Sequence, residues 1–364
     1  MWTLRGERRR ARFVADNLAP DQNAELVPGT VIVPVDGPRD GLREKLTALA
    51  SLDYPDYELI VAARLASDIP PAVLPHKVIV VLTGGKPRAE NFEALLGGVR
   101  MARKRSQFFA FAASDCVVSK NWLAALSRPL ADPTVGASTG FRWYAPEPPG
   151  FWPLMRSVWN ASIAGLLGPG DNPFAWEGAM AVRKNTFFEL RQHDLWKTAV
   201  SPGAALAKAV HQTGLSIAFA PGAMVACAAG TGVVNFFGRA RREMIVARRC
   251  YPRLWSAALV SHFFYCGAMA AAIAASVKGS RGAEWALVAQ LGLGMLKGLN
   301  RAILAKAELP GREAWFERHA WVHALWAPPA TWIWLGILLS SAAVAVPLRR
   351  AKRQALPRAL REDA

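Results

Sequence analysis

From Ser256 to Val277 the chain reads SAALVSHFFYCGAMAAAIAASV, 22 consecutive positions without a formal charge. A helix over this run, rising 1.5 Å per residue, reaches across a hydrocarbon core ~30 Å thick. The competing explanation, a core helix of a large domain, requires burial all round. A second stretch, Ala320 to Leu348, is similarly apolar and carries Trp321, Trp326, Trp332 and Trp334. Pro328 and Pro329 interrupt it, so a kinked span and a re-entrant segment both stay open. Between the two runs, Trp285 to Leu296 is short, with Lys297, Asn300 and Arg301 close behind. It reads as a short span or an interfacial helix and, about as readily, as a buried core helix. Loop charge does not decide between two and three spans. Two would leave the basic residues between Lys278 and Arg318 outside, and three would leave Arg349, Arg350, Lys352 and Arg353 there.

The basic balance has the same origin. The chain of 364 residues has 44 Lys and Arg against 27 Asp and Glu, a net charge of +17, together with 14 Trp. Trp and Arg both collect at membrane–water boundaries. With 52% apolar and 20% charged residues, whole-chain disorder is excluded. Nucleic acid is not expected as a partner, because no binding motif accompanies the basic clusters. Four scattered cysteines (Cys116, Cys227, Cys250, Cys266) form no CxxC pair, which argues against a disulfide framework and a structural zinc site. The start, MWTLRGERRRARF, has arginines but no apolar core behind them, so it does not read as a secretory signal. The first ~250 residues are therefore expected in the cytoplasm.

Upstream of the apolar tail the pattern alternates. Thr30–Pro34, Glu58–Ala62, Val78–Leu82 and Phe108–Ala112 are short apolar runs that read as buried strands. Leu42–Leu52 and Phe92–Met101 have helical spacing. Strands separated by helices imply an α/β domain with a doubly wound, mostly parallel sheet, which binds ligands at the carboxyl ends of its strands. The expected organisation is a basic segment over 1–27, the α/β domain over 28–236, a basic juxtamembrane helix over 237–255, membrane or interfacial helices over 256–348, and a basic tail over 349–364.

Asp115 closes the fourth strand run, where a carboxylate suits a divalent cation and, through it, a diphosphate. The plainer reading makes Asp115 the cap of the next helix. Lys86 and Asn91 follow the loop Thr83-Gly-Gly85, and a Lys on a Gly-rich loop suits phosphate. Arg239, Arg241, Arg242, Arg248, Arg249 and Arg253 precede the uncharged run. Three readings apply to them: a pyrophosphate clamp, contact with an anionic membrane surface, and a solvated face.

The order of segments resembles the membrane-bound family 2 type glycosyltransferases, especially their ceramide glucosyltransferase-like branch. The resemblance rests on Val31-Ile-Val-Pro-Val35, Ser51-Leu-Asp-Tyr-Pro-Asp56, Ala113-Ser-Asp115, Gly140-Phe-Arg-Trp143, Phe174-Ala-Trp-Glu-Gly178, Gly214-Leu-Ser-Ile-Ala-Phe219 and Arg242-Glu-Met-Ile-Val-Ala-Arg248. It implies a GT-A fold, a nucleotide sugar (usually UDP-linked) as donor, Mg²⁺ or Mn²⁺, and inverting transfer to the hydroxyl of a lipid such as ceramide. Such enzymes use an acid near the nucleoside, a DxD-like metal motif, an acidic general base and a (Q/R)xxRW element.

Each element is altered here. Only Asp68 remains of the first acidic cluster, and the second reads Ala113-Ser114-Asp115. Where the base is expected, the chain reads Val200-Ser-Pro-Gly-Ala204. The last element, Arg239-Ala-Arg-Arg242-Glu243, keeps its arginines but has Glu in place of Trp. A general base contributes ~10²–10⁴-fold in rate, so Glu177 and Glu243 are the candidates to replace it. Three functions compete: an active glycosyltransferase, a catalytically inactive relative acting as a membrane-bound partner, and a basic membrane scaffold. An Asp at position 203 is expected to restore a base near the acceptor.

Overall fold

The computed structural model describes residues 2–18, 25–37, 41–75, 77–84 and 92–344. Nine strands are β1 (Gly29–Val35), β2 (Tyr57–Ala63), β3 (Val78–Leu82), β4 (Phe108–Ala112), β5 (Val135–Thr139), β6 (Arg142–Tyr144), β7 (Ala179–Arg183), β8 (Ser216–Phe219) and β9 (Val225–Cys227). Among the described residues, twelve α-helices are α1 (Trp2–Leu18), α2 (Leu42–Ala50), α3 (Phe92–Met101), α4 (Trp122–Ser127), α5 (Phe151–Ala164), α6 (Lys184–Glu189), α7 (Gln192–Leu195), α8 (Pro202–Gln212), α9 (Val233–Cys250), α10 (Pro252–Val277), α11 (Arg281–Glu308) and α12 (Glu313–Ala342).

Seven strands form one sheet in the order β3-β2-β1-β4-β7-β5-β8. All neighbours are parallel except at β7, which runs antiparallel to both β4 and β5. The strands expected from apolar runs are present, each within a residue or so of its expected ends. β1, β2 and β4 are apolar on both faces because helices cover both, whereas β3, read as buried, is an edge strand that leaves Ile79, Val80 and Leu82 exposed. Val31, Val33 and Leu59 face α2, whereas Ile32, Ile60 and Phe109 face α3 and α8, and all are buried. The reversed β7 brings its start, Ala179, opposite Ala112 at the end of β4. The chain entering β7 therefore lies at the carboxyl edge of the parallel strands.

A second, two-stranded sheet pairs β6 with β9. Val117 and Ala226 form an isolated bridge beside it. That bridge brings two distant cysteines together, and Cys116 and Cys227 form a disulfide across 111 residues of sequence. The scatter of the cysteines gave no sign of it, because the pairing depends on the fold rather than on local spacing.

The C-terminal helices depart from the sequence reading in two respects. The middle segment, Trp285–Leu296, belongs to the 28-residue α11, whose C-terminal half buries Ala302, Leu304 and Ala305. The prolines at 328 and 329 lie inside a continuous α12 rather than ending it. Gly298 makes the α11–α12 crossing possible: a Cβ there would stand 2.0 Å from the carbonyl oxygen of His323. Among the described residues, α10 and α12 are long and apolar enough to cross a membrane. On α10, Phe263, Phe264 and Val277 are 60%, 69% and 84% exposed.

Candidate active site

Asp115 sits three residues past β4, at the carboxyl edge of the sheet. The helix that follows, α4, begins only at Trp122, with Asn121 in the capping position. Asp115 is thus not a helix cap, and the plainer reading of that carboxylate is set aside. Its carboxylate and the sulfurs of Cys116 and Cys227 lie within 4.8 Å of one another. Since those sulfurs are joined, oxygen is the donor this cluster offers. A single, partly exposed carboxylate fits Mg²⁺ or Mn²⁺, hard ions that keep waters and take phosphate oxygens as further ligands.

Glu177 belongs to the segment entering β7. The amide of Ala113 donates to the Gly178 carbonyl at 2.9 Å, which ties this segment to the end of β4. The Glu177 carboxylate is half-buried and faces the start of α8. There Ser201 caps the helix, accepting from the Ala204 amide at 3.2 Å, and Pro202 takes the first helical position. The Ser201 hydroxyl also lies 3.3 and 3.4 Å from the two Glu177 carboxylate oxygens, to which it donates. Loss of hydration raises the Glu177 pKa, while its own backbone amide, Ser201 and the charge of Arg142 oppose the rise. Tyr251, at the joint between α9 and α10, has its hydroxyl pKa raised by burial, with the charge of Glu177 adding to it.

Gly203 accounts for the apparent loss at this place. A Cβ on residue 203 would stand 2.1 Å from the Ala175 carbonyl oxygen and 2.7 Å from Glu177 Oε2. The space above the first turn of α8 is therefore already filled, by the Ala175 carbonyl and the Glu177 carboxylate of the segment entering β7. An Asp at 203 does not fit this backbone, which corrects the expectation that it would restore a base.

Glu243 has a different environment. On α9, it forms an ion pair with Arg142 of β6. The Arg142 guanidinium also lies over the rings of Tyr144 and Trp176, 5.2 and 5.5 Å from their centroids. Behind it, the buried Arg156 of α5 stacks on the other contact of Tyr144, 3.6 Å from the ring centroid, and donates to the Tyr144 hydroxyl at 2.5 Å. Burial lowers the Arg156 pKa, and the nearby positive charges of Arg142 and Arg239 push the same way. Asp115 is close enough to contribute to the field at both Arg142 and Tyr144. Contacts and through-space charge thus link Asp115, Glu177, Glu243 and Arg239 with Arg142, Tyr144, Arg156 and Tyr251.

The last four were missed by sequence reasoning. Arg142 lay within a quoted segment, Gly140-Phe-Arg-Trp143, and that was the signal available. Asp68 lies in the turn after β2, accepting from the Leu65 amide at 2.9 Å, on the same sheet edge. Arg242 is exposed on α9. Lys86 and Asn91 lie outside the described residues. Two arginines offered for lipid or phosphate are otherwise engaged. Arg248 donates to the carbonyls of Ser341, Ala342 and Val344, and Arg241 to that of Ser340, so both bind the C-terminal end of α12.

Residues 30–191 match the glycosyl transferase family 2 profile. The match runs from β1 to just past α6, a little under half of the chain. The fold is similar to that of mannosyltransferase PcManGT from Pyrobaculum calidifontis, solved with GDP-Man and Mn²⁺. Identity is 18% over 93% of each chain, with a TM-score of 0.53. Weaker similarities are to GalNAc-T7 with UDP, GalNAc and Mn²⁺ (16% identity over 57% of this chain and 45% of that one, TM-score 0.42). A further one is to glucosyl-3-phosphoglycerate synthase from Mycobacterium tuberculosis with phosphoglyceric acid (16% identity, 65% and 84%, TM-score 0.42). A comparison with curated proteins finds no match. The GT-A layout puts Asp115, Glu177 and the arginine cluster on the edge where a parallel sheet of this kind holds its ligand.

Proposed function

We propose that the chain is a membrane-anchored, inverting glycosyltransferase that moves a sugar from a nucleotide diphosphate sugar, UDP-linked, to the hydroxyl of a membrane lipid such as ceramide. The observation that carries catalysis is the Glu177 carboxylate, which fills the space above α8 that a side chain at 203 would otherwise take. A Glu held there, dehydrated and yet facing a helix N-terminus, is a base with a raised pKa and a stabilised charge.

In this reading Asp68 holds the nucleoside end, and Asp115 would hold Mg²⁺ or Mn²⁺, whose charge would offset that of the diphosphate. Arg142, Arg156, Arg239 and Arg242 supply positive charge toward the phosphates, with Lys86 and Asn91 as further nucleotide contacts. Glu177 takes the proton of the acceptor hydroxyl while the hydroxyl oxygen bonds to the anomeric carbon. The bond from that carbon to the diphosphate oxygen breaks, and the diphosphate departs with its electron pair. Glu243 orients Arg142 rather than serving as a base. The outward apolar faces of α10 and α12 support the anchor and a lipid acceptor delivered from the bilayer.

Calorimetric titration of the detergent-solubilised protein with UDP- and GDP-sugars, with and without Mn²⁺, tests the donor assignment. The proposal expects Mn²⁺-dependent binding of a UDP-sugar that Asp115→Ala abolishes. Binding of a donor without transfer to any lipid would return the chain to the non-catalytic reading.

A further inference from the structure

The N-terminal helix has a role that the glycosyltransferase reading leaves open. One face of α1 is fixed to the rest of the molecule. Arg10 is buried, donating to the Leu167 carbonyl at 2.8 Å and to Glu308 at 2.9 Å. Val14 is buried, and Phe13 packs beside Phe219 with ring centroids 6.3 Å apart. Glu7 accepts from Asn300 of α11 at 2.8 Å.

The other face carries Arg5, Arg8, Arg9 and Arg12, all exposed. These positions recur at three- and four-residue intervals and form one stripe. Among the described residues, none of the four takes part in an ion pair or side-chain hydrogen bond within the chain. The only carboxylates on the helix are Glu7, held by Asn300, and Asp16 in its last turn.

The seat of this helix identifies what the stripe meets. The N-terminal half of α11 exposes Trp285, Val288, Leu293 and Leu296 by 51–74%. Past that point one face of α11 is buried, with Gly298, Ala302 and Ala305 packed inward, while Ile303 is still 56% exposed. Glu7 meets α11 at Asn300, between the exposed Leu296 and Ile303. The helix is therefore seated beside the exposed apolar side chains of α11, with its arginine stripe on the outer face. The juxtamembrane arginines do not duplicate this surface in full, since Arg241 and Arg248 are bound to the end of α12.

We infer that Arg5, Arg8, Arg9 and Arg12 of α1 form a binding surface for anionic phospholipid headgroups, orienting the catalytic domain on the bilayer. This rests on the membrane-anchored reading above. Anionic phospholipid is the occupant because the stripe is purely cationic and exposed, on a helix seated beside the exposed apolar side chains of α11.

The test uses the full chain reconstituted into nanodiscs of phosphatidylcholine alone or with phosphatidylglycerol at roughly 30%, with hydrogen–deuterium exchange followed over residues 2–18. At low salt the α1 amides should exchange about fivefold more slowly in the anionic discs, and the difference should vanish at high salt. The quadruple variant R5Q/R8Q/R9Q/R12Q, altered only on the exposed face, should lose the difference. Equal exchange of the unaltered protein in both discs at low salt overturns the proposal. Protection by added RNA in neutral discs, without protection by anionic lipid, also overturns it and makes α1 a nucleic-acid surface. A chain retained in neither disc overturns the membrane anchor itself, and with it this inference.

Discussion

Glu177 Oε2 lies 2.7 Å from the point that a Cβ on Gly203 would occupy. The two positions compete for one space, and in this chain the carboxylate comes from the segment before β7 while the helix contributes glycine. A site that reads as deleted along the sequence is, in space, filled from the turn before β7.

Gly203→Ala is accordingly expected to destabilise the protein. The added methyl meets the Ala175 carbonyl oxygen at 2.1 Å, a backbone atom with no rotamer to move. Over-packing of this kind costs ~1–3 kcal/mol. Thermal unfolding of the variant should show a lower midpoint, and an unchanged midpoint would mean the turn is looser than described.

Ser201→Ala separates the two jobs of Ser201. It removes the helix cap, worth about 1 kcal/mol, and the hydroxyl that lowers the Glu177 pKa. Without that donor the carboxyl pKa rises further, so a larger fraction of the base is protonated at a given pH. The acid limb of kcat/KM should move to higher pH, with the plateau rate largely kept. A limb that does not move, or that moves to lower pH, would show that Glu177 is not the group titrating.

Glu243→Gln tests the alternative base. Glu243 is held by Arg142, so its loss leaves Arg142 without a counter-ion and the site one charge more positive. Turnover is expected to change by less than about tenfold, with the effect falling chiefly on donor KM. A loss of ~100-fold or more in kcat would transfer the role of base from Glu177 to Glu243.

Arg10 and Glu308 form a pair 2.9 Å apart with side chains 8% and 1% exposed. Arg10→Met strands a buried carboxylate, and such losses cost about 3–5 kcal/mol. The double variant Arg10→Met/Glu308→Met should recover most of that stability. Equal destabilisation by single and double variants would deny the coupling between α1 and α11.

Much of the fold was legible because it is local. The apolar runs at Val31, Leu59 and Phe109 are buried on both faces, and that leaves a continuous signal in the sequence. Asp115 was legible for the same reason, as the first carboxylate beyond a buried strand. The antiparallel β7 was not, since Ala179–Arg183 is short and small and its direction is set by its neighbours. Arg142, Tyr144, Arg156 and Tyr251 come from β6, α5 and the α9–α10 joint, and only the tertiary fold brings them together. The Cys116–Cys227 disulfide, likewise, waits on the bridge between Val117 and Ala226.

The decisive measurement compares the unaltered protein with Glu177→Gln, both in lipid, for donor affinity and for transfer of a labelled sugar to a lipid acceptor. Because folding raises the Glu177 pKa, ionisation of this group lowers stability as pH rises above the value in the unfolded chain. The Gln variant should therefore be no less stable than the parent at neutral pH. Donor affinity should be unchanged, and kcat should fall by ~10²–10⁴-fold. Transfer that survives the substitution within a factor of about two, at equal donor affinity, would contradict the assignment of Glu177 as the base.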